Sequence, residues 1–172
     1  ADAMQRAYKW TKKKLFDLLD SLKIEHSTIE HEPVFTVEQS NGIELKIPGG
    51  HTKNLFLKDD KKQFWLLSTL QDTKINLKRL SKQLNAKNLR FAQPDLLRQH
   101  LGIEPGSVTW FALINNTDKT VEGVLDKRLF EHDVVGFHPL QNNATTLVEP
   151  SALLTFANSV GTKHRIFDFT AE

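Results

Sequence analysis

Asn54-Leu55-Phe56-Leu57 and Phe64-Trp65-Leu66-Leu67-Ser68-Thr69-Leu70 are apolar runs of strand length, joined by the charged turn Lys58-Asp59-Asp60-Lys61-Lys62. That arrangement reads as a β-hairpin, and the segments on either side of it decide the fold class. Upstream, Pro48-Gly49-Gly50 breaks the chain, and Thr36-Val37-Glu38-Gln39 fits a capping box at the start of a short helix. Residues 25–30 alternate weakly, as a short strand would. An amphipathic helix is expected over about residues 4–23, because Leu15, Leu18, Leu19 and Leu22 recur at helical spacing with lysines on the other side.

Downstream, Leu77, Leu80 and Leu84 share one helix face and Lys78, Arg79 and Lys82 the other. Pro94 suits the first turn of a further helix and Gly102 its C-terminal stop. Residues 111–114 and 120–125 read as two strands around Asn115-Asn116-Thr117-Asp118-Lys119, and 134–137 and 145–148 continue the sheet. Pro150 and Gly161 bracket a last helix, and 165–169 closes as a strand. Strands outnumber helices and hairpin-length connections dominate the second half. The pattern predicts an α+β fold, one mixed domain over residues 1–172, and not a doubly wound sheet.

Composition agrees. A chain of 172 residues, 39% hydrophobic and 26% charged, suits one compact domain with a proper core. The absence of cysteine excludes disulfides, thiolate metal sites and cysteine nucleophiles, and leans towards a reducing compartment. No apolar run approaches a membrane span and no secretory pattern opens the chain. Met4 resembles an initiator, which would make Ala1 to Ala3 a cloning remnant or the chain a piece of something longer; either way a cytoplasmic protein is expected. Net charge is only +2, yet residues 51–100 hold 11 Lys and Arg against 4 Asp and Glu, between acidic flanks. Such a basic middle is compatible with a face that meets a polyanion. From charge alone, a solvated lysine-coated helix face is the stronger reading.

Seven histidines raise the question of a metal, but none of the pairs has a standard ligand spacing and no His-Glu-x-x-His occurs, so no metal site is expected. Gly49-Gly50-His51-Thr52-Lys53 lacks the full phosphate-loop pattern. Ser107, in Pro105-Gly106-Ser107-Val108, is not in a nucleophile elbow. Three segments remain: Lys53-Asn54 opening an apolar strand, the loop Gly102-Ile103-Glu104-Pro105-Gly106, and the polar stretch from Phe137 and His138 through Asn142 and Asn143 to Thr145 and Thr146. Singly, each is an ordinary edge, turn or connection. Together in one small domain they are candidates for a site, since loops held on a rigid sheet are where sites form.

The segments Thr52-Lys53-Asn54-Leu55-Phe56-Leu57, Leu101-Gly102-x-x-Pro105-Gly106-Ser107-Val108-Thr109 and His138-Pro139-Leu140-x-Asn142, in that order, resemble the YbaK/prolyl-tRNA synthetase editing-domain superfamily. The nearest branch is the free-standing prolyl-tRNA editing proteins of the ProX or ProXp-ala type, whose entry motif His31-Glu32-Pro33-Val34-Phe35-Thr36 matches. The likeness runs from about residue 31 to the C-terminus. It implies a curved, largely antiparallel sheet flanked by helices, and hydrolysis of the ester between a mischarged amino acid and the terminal adenosine of tRNA, with alanyl-tRNA(Pro) the usual substrate. No cofactor is expected. The implied partners are mischarged tRNA(Pro) and prolyl-tRNA synthetase, with no membrane and no DNA.

The resemblance also implies roles. Lys53 holds the phosphate or ribose end of the substrate, and Gly102 presents backbone to the aminoacyl group. His138 completes the catalytic set. Asn54, Pro105, Gly106, Ser107, Trp110, Asn142 and Thr145 are the implied substrate contacts. Departures from the family pattern at Trp110, Ala112 and Asn143 lie near the implied pocket, where Trp110 either reshapes the pocket or packs in the core. Two other readings stay open at this stage: a binding module that recognises tRNA without turnover, and an editing domain excised from a prolyl-tRNA synthetase.

Overall fold

The computed structural model describes residues 12–33 and 47–170. Four α-helices lie there: α1 (Lys12–Ser21), α2 (Leu77–Gln83), α3 (Pro94–Leu101) and α4 (Ser151–Ser159). The strands are β1 (His26–Glu30), β2 (Gly50–Lys58), β3 (Phe64–Leu70), β4 (Arg90–Phe91), β5 (Val121–Asp126), β6 (Val135–Phe137), β7 (Ala144–Val148) and β8 (His164–Phe167). They form one sheet in the order β1-β7-β6-β2-β3-β5-β8, with the short β4 paired to β2. The β1/β7, β6/β7, β2/β3 and β2/β4 pairings are antiparallel. The β2/β6, β3/β5 and β5/β8 pairings are parallel. The α+β expectation holds, with a parallel half that hairpin reasoning did not foresee.

The hairpin is as read, but β2 begins four residues early, at Gly50. Two glycines allow this. A side chain at Gly49, whose φ is 89°, would meet the Val134 carbonyl at 2.7 Å, and one at Gly50 would meet the His132 ring at 2.9 Å. Without side chains there, β2 closes on β6 and the Gly50 N–H donates to the Val134 carbonyl at 2.9 Å. Helix α3 starts on Pro94 and stops at Gly102, whose φ of 64° suits glycine.

One element differs in kind. Residues 111–114, expected as a strand, belong to a 3-10 helix over Trp110–Asn115, with the Thr109 hydroxyl accepting from the Phe111 N–H. Trp110, Phe111, Ala112, Leu113 and Ile114 are all buried. A run buried on every side carries no periodicity, so its apolar character alone does not distinguish strand from helix. The 4–11 part of the N-terminal helix, the capping box of residues 36–39 and the entry motif beyond Pro33 lie outside the described residues.

Strand alternation sends neighbouring side chains to opposite faces, and each face of the sheet has its own core. Leu66 packs with Leu15, Leu19, Leu97, Leu101, Phe111 and Phe156, beneath α1, α3 and α4. Leu67 packs with Leu55, Leu57, Trp65, Val124, Leu80 and Leu84, beneath α2. Both leucines have no exposed surface, and burying a side chain of that size contributes roughly 2 kcal/mol. We call the first the helical face and the second the α2 face.

Candidate functional site

Lys53 stands opposite Thr69 in the β2/β3 ladder, and Leu55 and Leu57 stand opposite Leu67 and Trp65. Partners across a ladder share a face, so Lys53 lies on the α2 face. Its Nζ donates to the Thr73 carbonyl at 2.7 Å. The Thr73 hydroxyl donates to Asp126 Oδ2 at 2.5 Å and accepts from Arg128 Nη1 at 3.1 Å. Asp126 is fully buried; it also accepts from the Leu70 N–H, and it caps the turn carrying Arg128 by accepting that residue's N–H at 3.0 Å. Arg128 pairs with Asp72 at 3.3 Å. The lysine is thereby fastened at one of its three protons, with two left to donate.

Asn54, one residue on, faces the other way. Its side-chain oxygen accepts from Ser68 Oγ, so the structure does not bring Lys53 and Asn54 onto one surface.

His138 follows β6 directly. The β2/β6 register pairs Gly50 with Val135 and His51 with Gly136; two residues further along each strand stand Lys53 and His138. The Thr52 hydroxyl donates to the Gly136 carbonyl at 2.5 Å, holding the strands together at that point. Val135 and Phe137 enter the helical-face core, so alternation puts His138 on the α2 face with Lys53. Its Nδ1 lies 2.9 Å from the Ala144 carbonyl. A carbonyl only accepts, so Nδ1 carries the proton and Nε2 of the neutral ring is an acceptor. Burial pushes the imidazole below the usual histidine range, the Ala144 bond opposes this, and the charge of His31 adds to it. His138 is therefore neutral at neutral pH.

Around it the second cluster assembles. The His31 ring lies 6.2 Å from that of His138. His31 Nδ1 faces the Glu32 carbonyl at 2.8 Å and its Nε2 the Thr145 hydroxyl at 2.9 Å. The loop of residues 102–106 reaches the same region by its tip: a side chain at Gly106, φ 93°, would lie 3.6 Å from the Asn142 amide. Arg98 ties that loop to α3 through two bonds to Glu104 at 2.9 and 3.0 Å, and the Ser107 N–H closes it on the Glu104 carbonyl at 3.0 Å. Pro105 and Gly106 are exposed and Ser107 is buried. Gly102 sits at the far end of the loop as the cap of α3, its N–H donating to Arg98.

For Trp110 two places were open, the pocket wall and the core. Implied as a substrate contact, it has no exposed surface, its Nε1 donates to the Leu153 carbonyl at 3.0 Å, and its ring fills the space a side chain at Gly123 would need. It belongs to the core. Thr73, Asp126 and Arg128 carried no expectation, although an aspartate ahead of a short turn is a capping signal at Asp126. Beside Arg128 opens a cavity of about 380 Å³, lined by Gly50, His51, Gln71, Asp72 and His132 among others; it includes none of the expected site residues. Among the described residues no three His, Asp or Glu side chains come together as metal ligands, and no helix is long and apolar enough to cross a membrane.

The family model described as aminoacyl-tRNA editing domain matches residues 31–156, a span that holds both clusters. The chain belongs to that family. This editing domain is 40% identical over 156 residues to the "Prolyl-tRNA synthetase associated domain-containing protein 1" of Bos taurus, covering 88% of this chain and 91% of the relative. It is 38% identical over 131 residues to the "Prolyl-tRNA editing protein ProX" of Acetoanaerobium sticklandii, covering 76% of this chain and 80% of that one. The crystal structure of hypothetical protein APE2540 shares the fold, with a TM-score of 0.70 at 17% identity over 90% of this chain and 97% of that chain. Its activity is that of its family, hydrolysis of the ester of an aminoacyl-tRNA.

Proposed function

We propose that this editing domain acts in trans, as a cytoplasmic factor alongside prolyl-tRNA synthetase, to hydrolyse alanyl-tRNA(Pro) at its terminal adenosine. The observation that carries the reading is that a fastened ammonium, Lys53 in β2, and a neutral imidazole, His138 at the end of the neighbouring β6, lie on one face. An aminoacyl ester is already activated, so its hydrolysis needs positioning and stabilisation of the developing oxyanion more than a protein nucleophile. The two remaining Lys53 protons hold a phosphate or ribose oxygen of the terminal nucleotide. The ribose hydroxyl beside the ester positions the attacking water, and His138 Nε2 accepts a hydrogen bond from that water or hydroxyl.

The tip of the 102–106 loop, at Pro105 and Gly106, and the Asn142 side chain border the aminoacyl group. Backbone carbonyls and amides there discriminate a small side chain by fit, while Gly102 and Ser107 fix the shape of the loop. Thr145 holds His31 against His138. Asn54, on the other face, supports the hairpin.

The test is to incubate the protein with alanyl-tRNA(Pro) and follow loss of the ester, with prolyl-tRNA(Pro) and alanyl-tRNA(Ala) in parallel. Selective loss from alanyl-tRNA(Pro) is expected. Loss at the same rate from Lys53→Ala protein would remove the lysine from the mechanism.

A further inference from the structure

The α2 face carries a feature that ester hydrolysis does not use. From residue 73 to residue 94 the chain has no Asp or Glu but has Lys74, Lys78, Arg79, Lys82, Lys87 and Arg90. Lys74, Lys78, Arg79, Lys82 and Lys87 are exposed, and none forms an ion pair with a described residue. Arg90 is paired with Asp60 at 2.7 Å, and Asp72, ahead of the segment, is taken up by Arg128. The local surplus of charge is therefore not neutralised among the described residues. A helix kept soluble by charge ordinarily mixes both signs; this one is of one sign only.

Its position matters as much as its charge. Leu80 and Leu84 lay α2 over Leu57, Trp65 and Leu67, on the face where Lys53 stands. The Thr73 carbonyl, which holds Lys53 Nζ, lies three residues ahead of Asn76, the cap of α2. The catalytic lysine and the basic segment thus share one anchor. Phe91, in β4 opposite Leu57, is 55% exposed on the same face, an apolar plate at the border of the cations.

Resting on the deacylase reading above, we propose that the outer surface of α2 and the segment after it is where this domain holds the phosphate backbone of its tRNA, outside the site of ester cleavage. Lys78, Arg79 and Lys82 make contacts to phosphates, and Phe91 offers a face for an unpaired base. This surface sets how tightly the tRNA is held and the Lys53–His138 cluster sets how fast the ester is cut.

The experiment compares wild type with Lys78→Gln/Arg79→Gln/Lys82→Gln, and with Lys127→Gln/Lys163→Gln as a charge-matched control from exposed sites elsewhere. Lys23→Gln, also exposed, is added to that control so that it too removes three cations. Affinity for uncharged tRNA(Pro) is measured between 50 and 200 mM salt, and deacylation is measured on alanyl-tRNA(Pro) and on 2′(3′)-O-alanyl-adenosine. The triple variant is expected to bind tRNA tenfold or more weaker at 150 mM salt, with the slope of log affinity on log salt smaller by about 2 to 3. KM for alanyl-tRNA(Pro) rises by the same factor, while hydrolysis of the adenosine ester is unchanged. Binding within twofold of wild type, or an equal loss in the control, overturns the proposal. So does salt-sensitive binding to phosphatidylserine vesicles with no binding to tRNA. If wild type binds tRNA but cleaves neither ester, the deacylase reading fails, and the binding arm still decides the surface.

Discussion

The two faces of the sheet divide the work. The helical face is closed by α1, α3, α4 and the 3-10 turn over Trp110–Asn115, and carries the larger of the two apolar clusters. The α2 face has a smaller apolar cluster, and alongside it stand a lysine bonded to a carbonyl, a neutral histidine and an all-cationic helix surface. One strand serves both: Phe56 enters the first core and Leu57 the second. On the function proposed above, stability and function separate by residue parity, so substitutions should sort by face.

The largest expected effect is on the helical face. Trp110→Ala removes the biggest buried side chain and leaves the Leu153 carbonyl without its donor, so urea denaturation should read a loss of about 4 kcal/mol. Trp110→Phe keeps most of the volume and should leave KM for the aminoacyl-tRNA unchanged; a changed amino-acid preference in that variant would return Trp110 to the pocket. On the α2 face, Lys53→Ala should reverse the pattern, with kcat/KM down by roughly 100- to 1000-fold and a loss of stability near 1 kcal/mol, the worth of its bond to Thr73. Equal damage to stability and activity would erase the distinction between the faces.

Asp59, in the β2–β3 turn, provides a structural counterpart. It is buried, and its carboxylate accepts from the N–H groups of Lys61, Gln63 and Lys87 at 3.0 Å each. Burial alone would raise its pKa, but these three bonds outweigh it and hold the carboxyl below the usual range. Asp59→Ala should cost about 3 kcal/mol, since three donors lose a charged acceptor.

The smallest effects are those of pH. A histidine whose folded pKa is depressed binds its proton first in the unfolded chain. The contribution of His138 is full above about pH 6.5 and is lost as pH falls from there through its folded value, at a slope of at most about 1.4 kcal/mol per pH unit. Asp59 adds a second step: its contribution is full above about pH 3.9 and is lost as pH falls through its lower folded value. Denaturation followed against pH should lose the upper step in His138→Gln and the lower one in Asp59→Ala. The deacylation rate should decline on the acid side with the upper step, because protonation removes the acceptor at Nε2.

Much of this was legible before any coordinates. The hairpin showed itself through two apolar runs and a charged turn, and α3 through Pro94 and Gly102, because those signals are local. The 3-10 turn was not, since Trp110 through Ile114 are buried on all sides and present no period. Nor were the parallel pairings of β2 with β6 and of β3 with β5, whose partners lie far apart in the chain. The site followed the same rule. Lys53 and His138 were candidates by motif alone, whereas the Thr73, Asp126 and Arg128 network joins positions 53, 73, 126 and 128 by hydrogen bonds that no spacing announces. Trp110 could not be assigned to pocket or core from the sequence, because proximity in sequence to the 102–106 loop does not imply proximity to what that loop touches.

The parallel register of β2 with β6 has a consequence for how the protein comes into being. Residues 50 and 51 must wait for 135 and 136, and β1 finds its partner only when β7 at 144–148 has been made. Contacts of such long separation form late and slowly, because the loop they close must first be ordered. A chain still emerging from the ribosome holds Lys53 without His138, so the pair to which we assign ester cleavage is completed among the last events of folding.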